Sequence, residues 1–134
     1  MFWKKKTKSS PQHTGQWGET QALNHLVQRG YTIVATNYRK RYGEIDIIAL
    51  EGDVLVFVEV KCRNRQTFGS PFEAVDLRKQ QRICRVAMEY LQSHQCGECN
   101  ARFDVIAVQP APGEALGKGS ELIEHIENAF DFSL

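Results

Sequence analysis

Three charged residues stand inside apolar runs where a folded chain has no ordinary use for them. Asp46 lies within Ile45-Asp46-Ile47-Ile48-Ala49-Leu50, and Val54-Leu55-Val56-Phe57-Val58 leads directly into Glu59-Val60-Lys61. An unpaired charge in an apolar sheet is very costly, so such groups are matched to a partner or a metal. Two carboxylates ~4 Å apart repel by about 4 kcal/mol at an effective dielectric near 20, and a divalent cation converts that repulsion into attraction. Hard oxygen donors suit Mg²⁺ or Mn²⁺ rather than zinc. A lysine beside them could orient or deprotonate water, or stabilise charge on a phosphate as its ester bond breaks. A purely structural role, an ion pair such as Asp46 with Lys61, would leave one carboxylate unexplained.

These residues need strands to hold them. Side chains alternate faces along a strand, so Glu59 and Lys61 share a face with Leu55 and Phe57, and Val54, Val56, Val58 and Val60 line the other. A hairpin around Glu51-Gly52-Asp53 joins strands at about 43–50 and 54–61. A two-residue loop at Glu51-Gly52 sets Asp46 opposite Phe57 and diagonal to Glu59. A four-residue loop sets it opposite Glu59, and a three-residue loop sends it to the other face.

The remaining elements follow from periodicity. A helix after Thr14 carries Ala22, Leu23, Leu26 and Val27 and ends at Gly30. Glu19 falls on its apolar side, facing the sheet, although a first-turn Glu also suits the helix dipole. Tyr31 to Asn37 reads as a strand. Residues 62–72 form a loop, and a second helix over 73–93 presents Val75, Leu77, Ile83, Val86, Ala87, Tyr90 and Leu91. Arg102 to Val108 alternates as a buried strand, a Pro/Gly-rich loop follows, and Leu122 to Ile126 forms a short strand. The order αβββαββ predicts an α/β (α+β) sandwich, with a mixed sheet of about five strands flanked by helices. Residues 1–13 form a basic N-terminal arm, and 14–134 form one domain.

On the second helix, Gln80 lines up with the core residues Cys84, Ala87 and Leu91, and Lys79 with Ile83, Val86 and Tyr90. Either could reach the carboxylates; a snorkelling Lys and an exposed Gln are equally compatible with the pattern.

The chain has 134 residues, 42% hydrophobic and 25% charged, with a net charge of +1. Those values suit one ordinary globular domain. Charge is uneven: residues 1–85 hold 15 basic and 8 acidic side chains, and the remainder holds 2 and 8. A basic front half around a carboxylate cluster suggests a polyanionic partner. Arg39-Lys40-Arg41, Arg63, Arg65, Arg78, Arg82 and Arg85 could track a nucleic-acid backbone, and Tyr38, Tyr42 and Phe68 could stack on bases. No secretory signal and no apolar run long enough to cross a membrane is visible, so a cytoplasmic protein with reduced thiols is expected. His94, Cys96 and Cys99 are three potential zinc ligands without an evident fourth, and the segment reads as a plain loop. His13, His25 and His125 read as surface residues without partners.

The ordered set of motifs resembles the PD-(D/E)xK, or restriction-endonuclease-like, nuclease superfamily. Within it the chain resembles the YraN-like family of small bacterial proteins. The matching stretches are Gly15 to Ala22, Asn37-Tyr38-Arg39, Gly43 to Ala49, Val56 to Lys61, Phe68-Gly69, Lys79-Gln80 and Arg102 to Val105. The resemblance implies a restriction-endonuclease-like core, similar in fold to Holliday-junction resolvases. It implies Mg²⁺ (or Mn²⁺) at Asp46 and Glu59 with help from Glu19, and catalytic roles for Glu19, Asp46, Glu59, Lys61 and Gln80. Glu44 has a supporting role, as a spare ligand or as a partner for Arg41. The implied partner is nucleic acid, DNA rather than RNA, contacted by Arg39, Arg41, Arg63, Arg65 and Lys79, with no membrane and a homodimer by analogy. The competing readings are a non-catalytic nucleic-acid-binding module with the same fold, and a scaffold whose charges pair internally.

Overall fold

A computed structural model describes residues 10–62, 76–96, 99–110 and 121–132, with the side chains of 10–15 and 121 excepted. The expected order αβββαββ is observed: α1 Ser10–Gln28, β1 Thr32–Lys40, β2 Gly43–Glu51, β3 Val54–Cys62, α2 Leu77–Ser93, β4 Asn100–Pro110 and β5 Glu121–Phe130. The five strands form one mixed sheet in the order β1-β2-β3-β4-β5. Only β3 and β4 run parallel. They are the pair joined through a helix, as a parallel connection requires.

Several boundaries differ from the periodicity. The first helix begins at Ser10 rather than after Thr14. β1 continues to Lys40 and β5 to Phe130, because pairing with β2 and β4 supplies ladder partners that the sequence of one strand does not display. α2 starts at Leu77, capped by Asp76, whose side chain accepts from Lys79 N at 2.9 Å. The expected loop with Arg63, Arg65 and Phe68, and the first residues of the expected second helix, lie outside the described residues.

Each face of the sheet buries one core. Ile48, Leu55, Phe57, Phe103 and Val105 pack against Ile83, Cys84, Val86, Ala87 and Tyr90 of α2. Ile47, Val56, Val58, Ile106 and Val108 pack against Ala22 and Leu26 of α1. The odd and even residues of β3 thus divide as their alternation predicts. Helix-spaced apolar residues on α2 present one stripe to the sheet and leave Arg78, Arg82 and Arg85 exposed on another.

Alternation fails around Asp46, as it also does at the register shifts of Ile33/Ala35 on β1 and of the β4–β5 ladder at Phe103/Val105. Ile45 and Ile48 lie in the α2-side core and Ile47 in the other, so β2 breaks step around Asp46. On β1 the facing residue is Asn37, between the pairs Thr36↔Ile47 and Tyr38↔Ile45. Its φ is 52°, in the left-handed region that Asn tolerates better than most residues. Strained backbone of this kind collects where a site must be shaped.

Candidate active site

The β2–β3 ladder runs from Glu51↔Val54 to Ile47↔Val58, across a two-residue turn at Gly52-Asp53. This is the register that faces Asp46 toward Glu59, reached by a tighter turn than the four-residue loop that the sequence suggested. The paired ladder stops one step short of these two residues. There Asp46 Oδ2 accepts from Val60 N at 2.8 Å, a side chain taking the place of a ladder carbonyl. The two strands part at this point, and both carboxylates remain at their fork.

Two glycines bring the helices to that fork. A Cβ on Gly18 would overlap Cys62 Sγ at the end of β3, so glycine lets α1 approach and carry Glu19 to the sheet. A Cβ on Gly43 would lie 3.2 Å from Val86 Cγ2 and 3.5 Å from Arg82 O, so glycine admits α2 at the start of β2. The result is a cavity of about 180 Å³ between Gly43, Glu44, Asp46, Glu59, Lys79 and Arg82.

Among the residues singled out from sequence, Glu19, Glu44, Asp46, Glu59, Lys61 and Lys79 converge. Asn37 Nδ2 donates to Glu19 Oε2 at 2.9 Å and to Glu44 Oε2 at 3.0 Å, tying α1 to β2 across β1. Glu44 pairs with Arg39 at 3.4 Å and not with Arg41. Glu59 is 7% exposed, and its Oε2 is 2.7 Å from Lys79 Nζ. The pairing of Asp46 with Lys61 is therefore not the one formed: Asp46 takes a backbone N–H, and Lys79 neutralises Glu59. Gln80 is half-buried on α2 and is not among the residues that line the cavity.

The electrostatics follow from crowding four carboxylates at a partly dry fork. Burial, then Glu59, then Glu19 and Glu44 push the Asp46 carboxyl up to about 7, against the opposing N–H of Val60. Burial also raises Glu19, while the Asn37 amide pulls it down. Burial and the neighbouring Lys79 ammonium lower Lys61. Burial opposes the charge on Lys79 as well, but Glu59 outweighs it and raises that lysine. The donor set is all carboxylate oxygen and carries excess negative charge, which fits a hard divalent cation. It is not a closed cage. Among the described residues no group of three His, Cys, Asp or Glu stands ready to hold a metal, and Glu59 is engaged by Lys79.

Other expectations resolve differently. Tyr38 packs edge-on against Tyr90 at 5.2 Å, and Tyr42 donates to Glu89 and lies under Arg85. Arg39 and Arg41 are exposed on β1 and the turn after it, and Arg78, Arg82 and Arg85 are exposed along α2. His94 stacks on Tyr90 at 3.9 Å, and its Nδ1 lies 3.0 Å from Tyr90 O.

His25 and His125 are not partnerless surface residues. His125 Nε2 donates to Asp104 Oδ2 at 2.8 Å, and His125 Nδ1 lies 3.0 Å from His25 Nε2. Asp104, 1% exposed, also accepts from Arg102 Nε at 2.9 Å and Asn128 N at 3.0 Å, and Arg102 reaches Glu51 and Tyr31. This network clamps α1, β4 and β5 on the far side of the α1 core. The signal for it was Asp104 itself, a carboxylate in a buried-strand pattern that demands partners. Asn37 was equally legible as an Asn inside a strand, where it is depleted.

No helix among the described residues is long and apolar enough to cross a membrane. The model of a family described as "Uncharacterised protein family UPF0102" matches residues 18–108. A UPF0102 protein of Alkaliphilus oremlandii is 49% identical over 118 residues, covering 87% of this chain and 96% of the relative. One of Syntrophus aciditrophicus is 46% identical over 120 residues, covering 90% of each. One of Rhodococcus jostii is 45% identical over 117 residues, covering 87% and 94%. The matched span runs from the glycine that admits α1, through the carboxylate fork, to the end of the buried part of β4, and the chain belongs to the UPF0102, or YraN-like, family.

Proposed function

We propose that the protein is a metal-dependent nuclease that hydrolyses phosphodiester bonds in DNA, branched or structured DNA included. The observation that carries this reading is the fork of β2 and β3. Asp46 and Glu59 remain there as a pair of carboxylates with a raised Asp46 carboxyl, with Lys61 two residues along and Glu19 delivered by a second element. Asp46 and Glu59 would hold Mg²⁺ or Mn²⁺, with Glu19 assisting. When bound, such an ion supplies Lewis-acid polarisation of the phosphate and a lower water pKa. Lys61, lowered by burial and by Lys79, is suited to hold a water or a developing phosphate charge. Asn37 keeps Glu19 and Glu44 oriented. Arg39, Arg41 and the exposed stripe of α2 supply cations for the backbone, and Arg63 and Arg65 are assigned the same role from sequence.

One observation favours a second reading, a non-catalytic nucleic-acid-binding module. Lys79 Nζ lies 2.7 Å from Glu59 Oε2, so the chain itself supplies a counter-cation for that carboxylate. Cleavage of a panel of duplex, single-stranded, flap and four-way DNA with Mg²⁺ or Mn²⁺ separates the two. A nuclease should cut at least one substrate, and Lys61→Ala should retain DNA binding while cleavage falls by a factor on the order of 10². No cleavage of any substrate, with equal binding by wild type and Lys61→Ala, makes the binding module the better account.

A further inference from the structure

We propose that Lys79 is the built-in counter-cation of the metal-free site: it occupies Glu59 in competition with the divalent ion and is released toward the DNA backbone when that ion binds. The inference rests on the metal-dependent reading above and adds a role for a residue outside the Asp46, Glu59 and Lys61 set.

The two lysines at the fork are not equivalent. Lys61 belongs to β3, two residues beyond Glu59, so its position is tied to the sheet. Lys79 belongs to the first turn of α2, and its side chain, 37% exposed, meets a Glu59 side chain that is 8% exposed. A four-carbon stem with one end in water can swing away at little cost; a buried carboxylate cannot follow it. The contact is also close, at 2.7 Å, as charge-assisted pairs are. Glu59 therefore faces two alternative cations. A divalent ion held by Asp46 and Glu59 would repel the Lys79 ammonium and compete with it for the Glu59 carboxylate.

Release has a direction. Arg82 lines the same cavity, and Arg78 is exposed beside Lys79 on α2. An ammonium leaving Glu59 joins that cationic rim, where a phosphodiester backbone is the matching ligand. Divalent-ion binding and DNA binding then assist each other, and by linkage each must raise the affinity for the other equally. In the absence of the ion the pair keeps Glu59 neutralised, so the strand fork tolerates its buried charge.

The test is calorimetric titration of Mn²⁺ into wild type, Lys79→Met and Lys79→Arg, without DNA. Removing the competitor should tighten Mn²⁺ binding in Lys79→Met by up to about tenfold, the fold-change of one partly screened ion pair. Lys79→Arg keeps the charge and should bind no more tightly than wild type. Equal or weaker Mn²⁺ binding in Lys79→Met overturns the inference while leaving the metal site intact. Absence of Mn²⁺ binding in all three proteins overturns the metal-dependent reading itself. If Lys79→Met does not fold, Lys79→Gln replaces it with the same two outcomes.

Discussion

Replacing Asp46 by Asn should stabilise the protein without divalent cations and abolish its response to them. Burial, followed by Glu59, raises the carboxyl from 3.8 to about 7 in the folded chain. A folded group that holds its proton to higher pH than the unfolded one favours folding below the unfolded pKa. That contribution is lost as pH rises through the folded pKa. At ~1.4 kcal/mol per pH unit, the loss between pH 3.8 and about 7 is at most about 4.5 kcal/mol. Partial exposure and the high effective dielectric of the site reduce the realised effect to roughly 1–2 kcal/mol. Asn keeps a side-chain oxygen for Val60 N, so the hydrogen bond that ends the ladder survives. Urea unfolding in a chelator at about pH 5 and about pH 8.5 measures the difference. The variant should gain on wild type mainly at the higher pH, and added Mn²⁺ should then stabilise wild type alone. A variant less stable than wild type at high pH, or a gap independent of pH, would refute the electrostatic reasoning.

Three further outcomes test other parts of the molecule. Mn²⁺ must displace the Asp46 proton, so its apparent affinity should rise steeply between about pH 6 and 7 and level off above, with proton uptake by buffer measured by calorimetry; a flat profile would exclude Asp46 as a ligand. Gly18→Ala should gain up to about 1 kcal/mol of helix propensity in a Cys62→Ala background but not in wild type, because only Cys62 Sγ obstructs the new methyl; identical effects in both backgrounds would mean α1 does not approach β3 as described. Asp104→Ala should cost about 3–5 kcal/mol by leaving Arg102 and His125 without their shared partner. Burial opposes the Asp104 charge, but His125, Arg102 and Asn128 outweigh it and hold the carboxyl below its ordinary value. The stability it contributes is therefore present above the unfolded pKa and lost as pH falls through the folded one, so acid unfolding should shift in this variant.

Much of this protein was legible from residue types alone. Strict alternation in Val54 to Val60 assigns its side chains to two cores, and a charge that interrupts such a run marks a site because burial of an unpaired charge is so unfavourable. Helical spacing placed Glu19 toward the sheet and Ile83 to Tyr90 in the core. Those are local rules, and they hold wherever the chain is regular. What the sequence left open depended on contacts between distant segments. Three hairpin registers were compatible with Glu51-Gly52-Asp53, and pairing across the sheet selected the one that faces Asp46 toward Glu59. The break in step at Asn37 and Asp46 lies in two strands at once, so no single periodicity reveals it. Lys79 and Gln80 were indistinguishable by spacing, and only the packing of α2 over the sheet gives Glu59 to Lys79. His25 and His125, a hundred residues apart, became partners because β5 and α1 both pack around Asp104. Burial and charge pattern are properties of a segment; which charge meets which is a property of the packed whole.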